Sequence, residues 1–149
     1  MQNTEINERP RSKLRGIRPT LLIKIRTKAI LDFLINHPDY QLSSREWLVF
    51  LTVAMEEGLT SPQLVERLQL PQQTLSRKIR NLSQSVNAAS ETEGYNLIKA
   101  IRKGKAFSYF LTDAGKGLWQ DFSNMHAKVD NLIVEKCKRR AGPKNLNRF

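Results

Sequence analysis

The spacing of apolar residues along the chain predicts a protein made mainly of helices. Apolar residues are dense across residues 20–37 and cover more than one face of a helix, which Pro38 then ends. A second helix is expected to follow an N-cap at Ser43 or Ser44 and to reach Glu57, because its apolar residues recur every three or four positions. The first helix needs cover on two sides, and a second subunit would supply that cover.

Two shorter helices are expected next, joined by a tight connection. Ser61 is the predicted cap of the first of them, with Pro62 at its first helical position and Leu68 at its end. The connection is formed by residues 69–71, and the second helix is expected over residues 72–86. The apolar residues of this second helix are spaced so that they lie on one face, which leaves the opposite face free.

A β-hairpin and a long helix complete the pattern. Residues 84–94 are expected to form an irregular link, although the preceding helix could extend into it by a turn. Residues 95–102 and 105–111 are rich in aromatic and β-branched residues, which predicts two strands around a turn at residues 103–104. Thr112 is the predicted cap of the final helix. The predicted fold class is mainly α with a small β-hairpin wing, a winged helix-turn-helix that dimerises through its N- and C-terminal helices.

The charge of the chain indicates what kind of partner it binds. The formal net charge is +11 and the pI is near 10.2, so nucleic acid is the first candidate and an anionic membrane surface the second. Residues 1–28 and 136–149 are strongly basic, whereas residues 29–135 are close to neutral. The predicted organisation is therefore a flexible basic arm over residues 1–19, one DNA-binding and dimerisation domain over residues 20–135, and a basic C-terminal tail over residues 136–149.

Several classes of function lack the residues they need. Cys137 is the only cysteine, which excludes an intramolecular disulfide and a cysteine-based zinc site, and the two histidines come without a third ligand. No apolar stretch is long enough to span a bilayer, and no cluster of titratable groups suits catalysis. We therefore expect a cytoplasmic, nucleoid-associated protein that is not an enzyme and uses no metal or cofactor.

The helix predicted over residues 72–86 has the chemistry of a DNA-recognition helix. At about 100° per residue, its free face carries arginine, glutamine and asparagine side chains, which can bond guanine or adenine edges in the major groove. Hydroxyl groups and the helix N-terminus suit phosphates. The predicted DNA contacts on this helix are Gln72, Gln73, Thr74, Ser76, Arg77, Arg80 and Asn81. The hairpin tip adds Arg102, Lys103 and Lys105, which would meet the minor groove or the backbone. The less specific interpretation is a helical hairpin of a bundle followed by a solvated turn.

Two segments resemble the MarR-like winged helix-turn-helix regulators. Residues 59–79 (LTSPQLVERLQLPQQTLSRKI) resemble the helix-turn-helix of that family, and residues 110–118 (FLTDAGKGL) resemble its junction between the wing and the last helix. The resemblance covers about residues 20–135 and implies a homodimer with interlocked terminal helices and two recognition helices one DNA turn apart. The sequence departs from the family at Gln69 and Pro71, which replace small residues of the turn, and it lacks the acidic-basic-basic signature of the wing.

The leading hypothesis is a sequence-specific transcriptional regulator, expected to be a repressor, that binds a pseudo-palindromic site in double-stranded DNA as a homodimer. A replication or partition protein of a plasmid or other mobile element stays open, and repeated sites at an origin would favour it. A winged-helix module that binds another polypeptide also stays open, and binding insensitive to added salt would favour that function. The sequence identifies neither an operator nor a small-molecule effector.

Overall fold

The computed structural model describes residues 18–83 and 94–140, which form five helices and a three-stranded antiparallel sheet. The helices are α1 (Pro19–Asn36), α2 (Ser44–Met55), α3 (Ser61–Leu68), α4 (Gln72–Leu82) and α5 (Asp113–Arg140). The strands are β1 (Leu59–Thr60), β2 (Ile98–Lys103) and β3 (Ala106–Leu111). The predicted mainly α architecture with a small β-hairpin is confirmed.

The chain divides into two compact units. One contains residues 37–123, and the other contains α1 and the part of α5 that follows residue 123. Because α5 continues to Arg140, the first residues of the predicted C-terminal tail are helical. Residues 1–17 of the predicted arm and residues 141–149 of the predicted tail lie outside the described residues.

The core of the unit formed by residues 37–123 lies where α2, α3, α4 and the sheet meet. The helix α2 packs against α3, α4 and β3, and α3 packs against α4. The fully buried side chains of this core are Val49, Phe50, Val53, Leu64, Leu75, Leu82, Leu97, Ile98 and Leu111. The apolar stripe of α4 is buried in this core, so the rest of the helix surface is available to contact a partner.

The sheet places β3 between β2 and β1. The β2–β3 hairpin pairs Ile98 with Leu111 and Lys103 with Ala106. Its turn is formed by residues 104–105, one residue later than predicted, and Gly104 adopts a φ of 64° that suits glycine. The strand β1 was not predicted, and it exists because Leu59 pairs with a residue of β3 far along the chain.

The cap of α3 differs from the prediction by one residue. Thr60 is the N-cap, with an extended φ of −87° and ψ of 164°, and Ser61 is already the first helical residue. The predicted cap at Ser61 is wrong because Thr60 is held extended as the last residue of β1. The side chain of Gln63 accepts a hydrogen bond from the backbone N–H of Thr60 at 2.9 Å. The hydroxyl of Ser61 instead lies 3.0 Å from that of Tyr109.

The helix α4 ends earlier than predicted. Ser83 has an extended backbone, with φ of −93° and ψ of 169°, so the predicted continuation to Val86 is wrong. The last carbonyls of the helix accept hydrogen bonds from the segment that leads into β2. The N–H of Tyr95 donates to the carbonyl of Asn81 at 2.9 Å, and the N–H of Leu97 donates to the carbonyl of Leu82 at 2.7 Å. The predicted link lies outside the described residues as far as residue 93.

Two predicted helix caps are confirmed. The Ser43 hydroxyl accepts from the N–H of Glu46 at 3.3 Å, and the carboxylate of Glu46 accepts in return from the N–H of Ser43 at 2.8 Å. The Thr112 hydroxyl accepts from the N–H of Gly115 at 3.0 Å and starts α5. Each cap satisfies N–H groups that a helix terminus otherwise leaves without a partner.

The other compact unit has its own apolar cluster. Val129 and Ile133 of α5 are buried. The side chains that pack against them are Leu21, Leu22, Ile25, Ala29, Met125 and Cys137. Arg26 of α1 forms an ion pair with Asp130 of α5 at 2.9 Å. Large apolar side chains of this unit nevertheless stay exposed, among them Ile23 at 65% and Ile35 at 74%.

Candidate nucleic-acid interface

The connection between α3 and α4 is a tight turn that begins with a left-handed residue. Gln69 has a φ of 53° and ψ of 35°, and its backbone N–H donates to the carbonyl of Val65 at 2.9 Å. A left-handed conformation is costly for a residue other than glycine. Here the side-chain amide of Gln69 adds a bond of 2.6 Å to the carbonyl of Glu66. The glutamine that replaces a small residue at this turn therefore has a structural role, because its side chain bonds to the end of α3.

The two faces of α4 have opposite character. Leu75, Ile79 and Leu82 are buried against the core, and Thr74 is half-buried. The remaining predicted contacts on this helix are all exposed: Gln72, Gln73, Ser76, Arg77, Arg80 and Asn81. The structure therefore brings the predicted α4 residues together on the accessible part of one helix.

The start of α2 extends this surface into a cationic concavity. An open concavity of about 450 Å³ lies between the two helices, lined by Arg45, Thr74, Arg77, Lys78, Arg80 and Asn81. Four of these six side chains carry a positive charge, which favours an anionic ligand. The sequence reasoning missed Arg45 and Lys78. Arg45 follows the Ser43 cap in sequence, but only tertiary packing brings it beside α4.

A buried carboxylate lies beside this concavity and connects α2 to α4. Glu46 is only 6% exposed, and its Oε1 accepts from Asn81 Nδ2 at 2.9 Å and from Lys78 Nζ at 3.4 Å. We refer to Ser43, Glu46, Lys78 and Asn81 as the Glu46 cluster. Burial alone would raise the pKa of Glu46, but the hydrogen bonds from Asn81 and Ser43 and the charge of Lys78 outweigh it and lower the pKa. Glu46 is therefore a carboxylate at neutral pH.

The Glu46 cluster gives Asn81 a second role. The sequence predicts Asn81 as a contact to DNA bases, and the structure shows its side-chain amide donating to Glu46. Gln73, Arg77 and Arg80 lie outside the cluster on the exposed part of α4. These three side chains form the surface that we call the reading face.

Two of the three predicted hairpin contacts are cations that pack on aromatic rings of the same hairpin. The guanidinium carbon of Arg102 lies 5.9 Å from the ring centroid of Phe107, and Lys103 Nζ lies 5.4 Å from that of Phe110. Arg102 Nε also donates to the carbonyl of Gly104 at 3.1 Å. Lys105 is exposed in the turn itself. The aromatic contacts therefore restrain the Arg102 and Lys103 side chains, and the hairpin presents their positive charge at its surface.

The part of the chain that the structure describes contains neither a candidate metal site nor a candidate membrane span. Within residues 18–83 and 94–140, no three histidine, cysteine, aspartate or glutamate side chains lie close enough together to hold a metal ion. Within the same residues, no helix is long and apolar enough to cross a membrane.

Comparisons with known proteins identify the fold. No protein-family model matches the sequence, and no curated protein matches it. The structure is similar to that of MepR from S. aureus in complex with DNA, with a TM-score of 0.63 over 82% of this chain and 84% of that chain at 15% identity. It is also similar to FabT from Streptococcus pneumoniae in complex with DNA, with a TM-score of 0.57 over 78% of each chain at 14% identity. MarR itself gives a TM-score of 0.50 over 80% of each chain at 12% identity.

These neighbours are MarR-family transcriptional regulators. Identities this low establish the fold and nothing beyond it. The chain has a MarR-like winged-helix fold, as its sequence predicts.

Proposed function

We propose that this protein, whose fold is the MarR-like winged helix, is a DNA-binding transcriptional regulator that acts as a homodimer on a pseudo-palindromic site. The observation that carries the proposal is the reading face. Gln73, Arg77 and Arg80 are exposed on a helix whose other side is packed into the core. Arginine can bond guanine O6 and N7 together, and glutamine can bond adenine N6 and N7 together.

The hairpin supplies contacts of a second kind. Its cations Arg102, Lys103 and Lys105 are suited to the backbone or to the negative potential of the minor groove. Contacts to phosphate carry no sequence information, so we assign the hairpin to affinity and orientation, and the reading face to specificity. The basic residues at the two chain ends would add to affinity in the same way.

The proposed dimer rests on the apolar surface of the unit that contains α1 and the end of α5. Ile23, Leu31 and Ile35 of α1 are more than half exposed, and Leu132 and Val134 of α5 are 44% and 43% exposed. Several large apolar side chains exposed on one small unit favour a protein–protein interface over a solvated surface. A second copy of the chain is the proposed partner, because a symmetric dimer would present two reading faces to the two half-sites of a palindrome.

We further propose that the protein acts as a repressor. Two reading faces that bind successive major grooves span about 34–36 Å of DNA from centre to centre. A dimer bound over such a stretch at a promoter would exclude other proteins from it. No effector is assigned.

Selection of binding sites from a pool of random duplexes, read by sequencing at two salt concentrations, tests the proposal. The expected result is one enriched dyad whose half-site centres lie about one helical turn apart, with affinity that falls steeply as salt rises. Tandem repeats of one site would favour the replication or partition alternative. Absence of an enriched motif, or binding that ignores salt, would contradict a sequence-specific regulator.

A further inference from the structure

The cationic concavity overlaps the edge of the reading face, because Arg77 and Arg80 belong to both, and its other α4 residues lie on the flank of the helix. Thr74, Lys78 and Asn81 follow one another along α4 at spacings of four and three, so they form a single stripe. At about 100° per residue, this stripe is turned by nearly a third of the helix circumference from the stripe that carries Gln73 and Arg80. When the reading face points to the base edges, the flank of the helix faces a wall of the major groove, and that wall is made of phosphates.

The lining of the concavity matches a phosphate better than a base. Its six side chains include arginine, lysine, threonine and asparagine but no aromatic ring on which a base could stack. Arginine binds phosphate through parallel N–H groups, and a threonine hydroxyl donates to phosphate oxygens. Arg45 is also the second residue of α2, so the positive end of that helix dipole adds to the local potential.

The Glu46 cluster leaves this surface with an excess of positive charge. One carboxylate, Glu46, is shared by Lys78 and Asn81, whereas Arg45, Arg77 and Arg80 stand outside the cluster. The cluster therefore holds Lys78 and Asn81 in place within the lining, while the three arginines and Thr74 line the concavity outside the cluster.

We propose that the concavity between the start of α2 and α4 is a binding site for a backbone phosphate of duplex DNA, anchored by Arg45 and Thr74 outside the reading face. This inference rests on the proposed DNA-binding function and extends it to a residue of α2 that lies outside the helix-turn-helix. A free phosphorylated ligand would share the same chemistry, so the experiment has to separate the two sources.

The first arm measures the dependence of the dissociation constant on salt for a mixed-sequence duplex. Each phosphate contact contributes about 0.9 to the slope of log affinity against log salt. Arg45→Gln should make the salt dependence shallower, reducing the magnitude of the slope by about 0.9 for each concavity in contact with DNA. Thr74→Val, which keeps the side-chain shape without the hydroxyl, should weaken binding with little change in slope. Lys128→Gln removes one exposed cation from the far part of α5 and should change neither quantity.

The second arm locates the phosphate on the selected dyad. Duplexes in which single phosphates are replaced by uncharged methylphosphonate should weaken the wild type at one position in each half-site. Arg45→Gln should be insensitive to replacement at that position, because its partner is already lost. Equal sensitivity of the wild type and Arg45→Gln at every position would overturn the inference, and so would an Arg45→Gln slope equal to that of Lys128→Gln. Both results leave the proposed DNA binding intact.

The third arm titrates inorganic phosphate alone and follows the backbone amides of Arg45 and Thr74 by NMR, with chloride as the control anion. Amide shifts in a wild type that also binds duplex DNA with a steep salt dependence would support the site. Amide shifts in a wild type that does not bind duplex DNA would overturn DNA as the source of the phosphate, together with the proposed function.

Discussion

Removal of the Glu46 side chain should weaken the attachment of α2 to α4. Glu46→Ala deletes a carboxylate that accepts from Asn81 at 2.9 Å, from the N–H of Ser43 at 2.8 Å and from Lys78 at 3.4 Å. A hydrogen bond to a charged group contributes about 1.5–3 kcal/mol, and loss of a helix cap costs about 1 kcal/mol. Asn81 is exposed and can rehydrate, so the separate costs do not add in full.

We therefore expect Glu46→Ala to lower the free energy of unfolding by about 3 kcal/mol. Glu46→Gln keeps the shape and one acceptor, but it loses the charge and places an NH2 group where the second oxygen accepts a hydrogen bond, so its cost should be about 1–2 kcal/mol. Urea unfolding at pH 7 and one fixed protein concentration measures both, because the midpoint shifts while the slope is unchanged. The exposed Glu57→Ala provides the matched control and should cost less than about 0.5 kcal/mol.

The same cluster predicts a dependence on pH. The folded protein lowers the pKa of Glu46, so the stabilisation is complete above the ordinary value of 4.5 and is lost as the pH falls through the lower folded value. The stability difference between the wild type and Glu46→Gln should shrink between pH 5 and strongly acidic conditions. A Glu46→Ala variant as stable as the Glu57→Ala control, or a difference from Glu46→Gln that grows in acid, would refute the role given to the cluster.

Two further predictions have matched controls within single helices. A Cβ at Gly115 would lie 2.1 Å from the backbone oxygen of Leu97, so Gly115→Ala should lower the free energy of unfolding by about 1–3 kcal/mol. A Cβ at Gly117 would meet nothing within 4 Å, so Gly117→Ala should raise the free energy of unfolding by about 0.5–1 kcal/mol in the same urea assay. If both substitutions changed the free energy of unfolding in the same direction, the packing described for Gly115 would be contradicted. Ile35→Glu should shift the protein from dimer to monomer in sedimentation equilibrium, whereas Asn36→Glu, which adds the same charge beside it, should not; a dimer that survives Ile35→Glu would place the interface elsewhere.

Local patterns predicted the parts of the fold that local chemistry decides. The bounds of α1 and α2 agree with the sequence to within two residues, because Pro38 ends one helix and Ser43 starts the other. The Thr112 cap and the hairpin followed for similar reasons, although β2 begins at Ile98, three residues later than predicted. Each of these elements is set by residues close to one another in sequence, which is the information that periodicity and capping motifs contain.

The features that escaped prediction depend on residues far apart in sequence. Leu59 becomes a strand residue because it pairs with Tyr109, and that pairing moves the cap of α3 to Thr60. Glu46 resembles an ordinary member of a capping box, and only the folded chain shows that its carboxylate also binds Lys78 and Asn81. The cationic concavity has the same origin, since no local motif brings Arg45 to α4.

The specificity of Arg77→Ala tests the central claim most directly. The quantity is the ratio of dissociation constants for a scrambled duplex and for the selected dyad, measured at one salt concentration for the wild type, Arg77→Ala and the charge control Lys128→Ala. A bidentate contact to guanine contributes about 1–3 kcal/mol to discrimination, so the ratio should fall about 5- to 150-fold in Arg77→Ala. It should stay unchanged in the control. An unchanged ratio in Arg77→Ala would contradict the claim that the reading face reads the sequence.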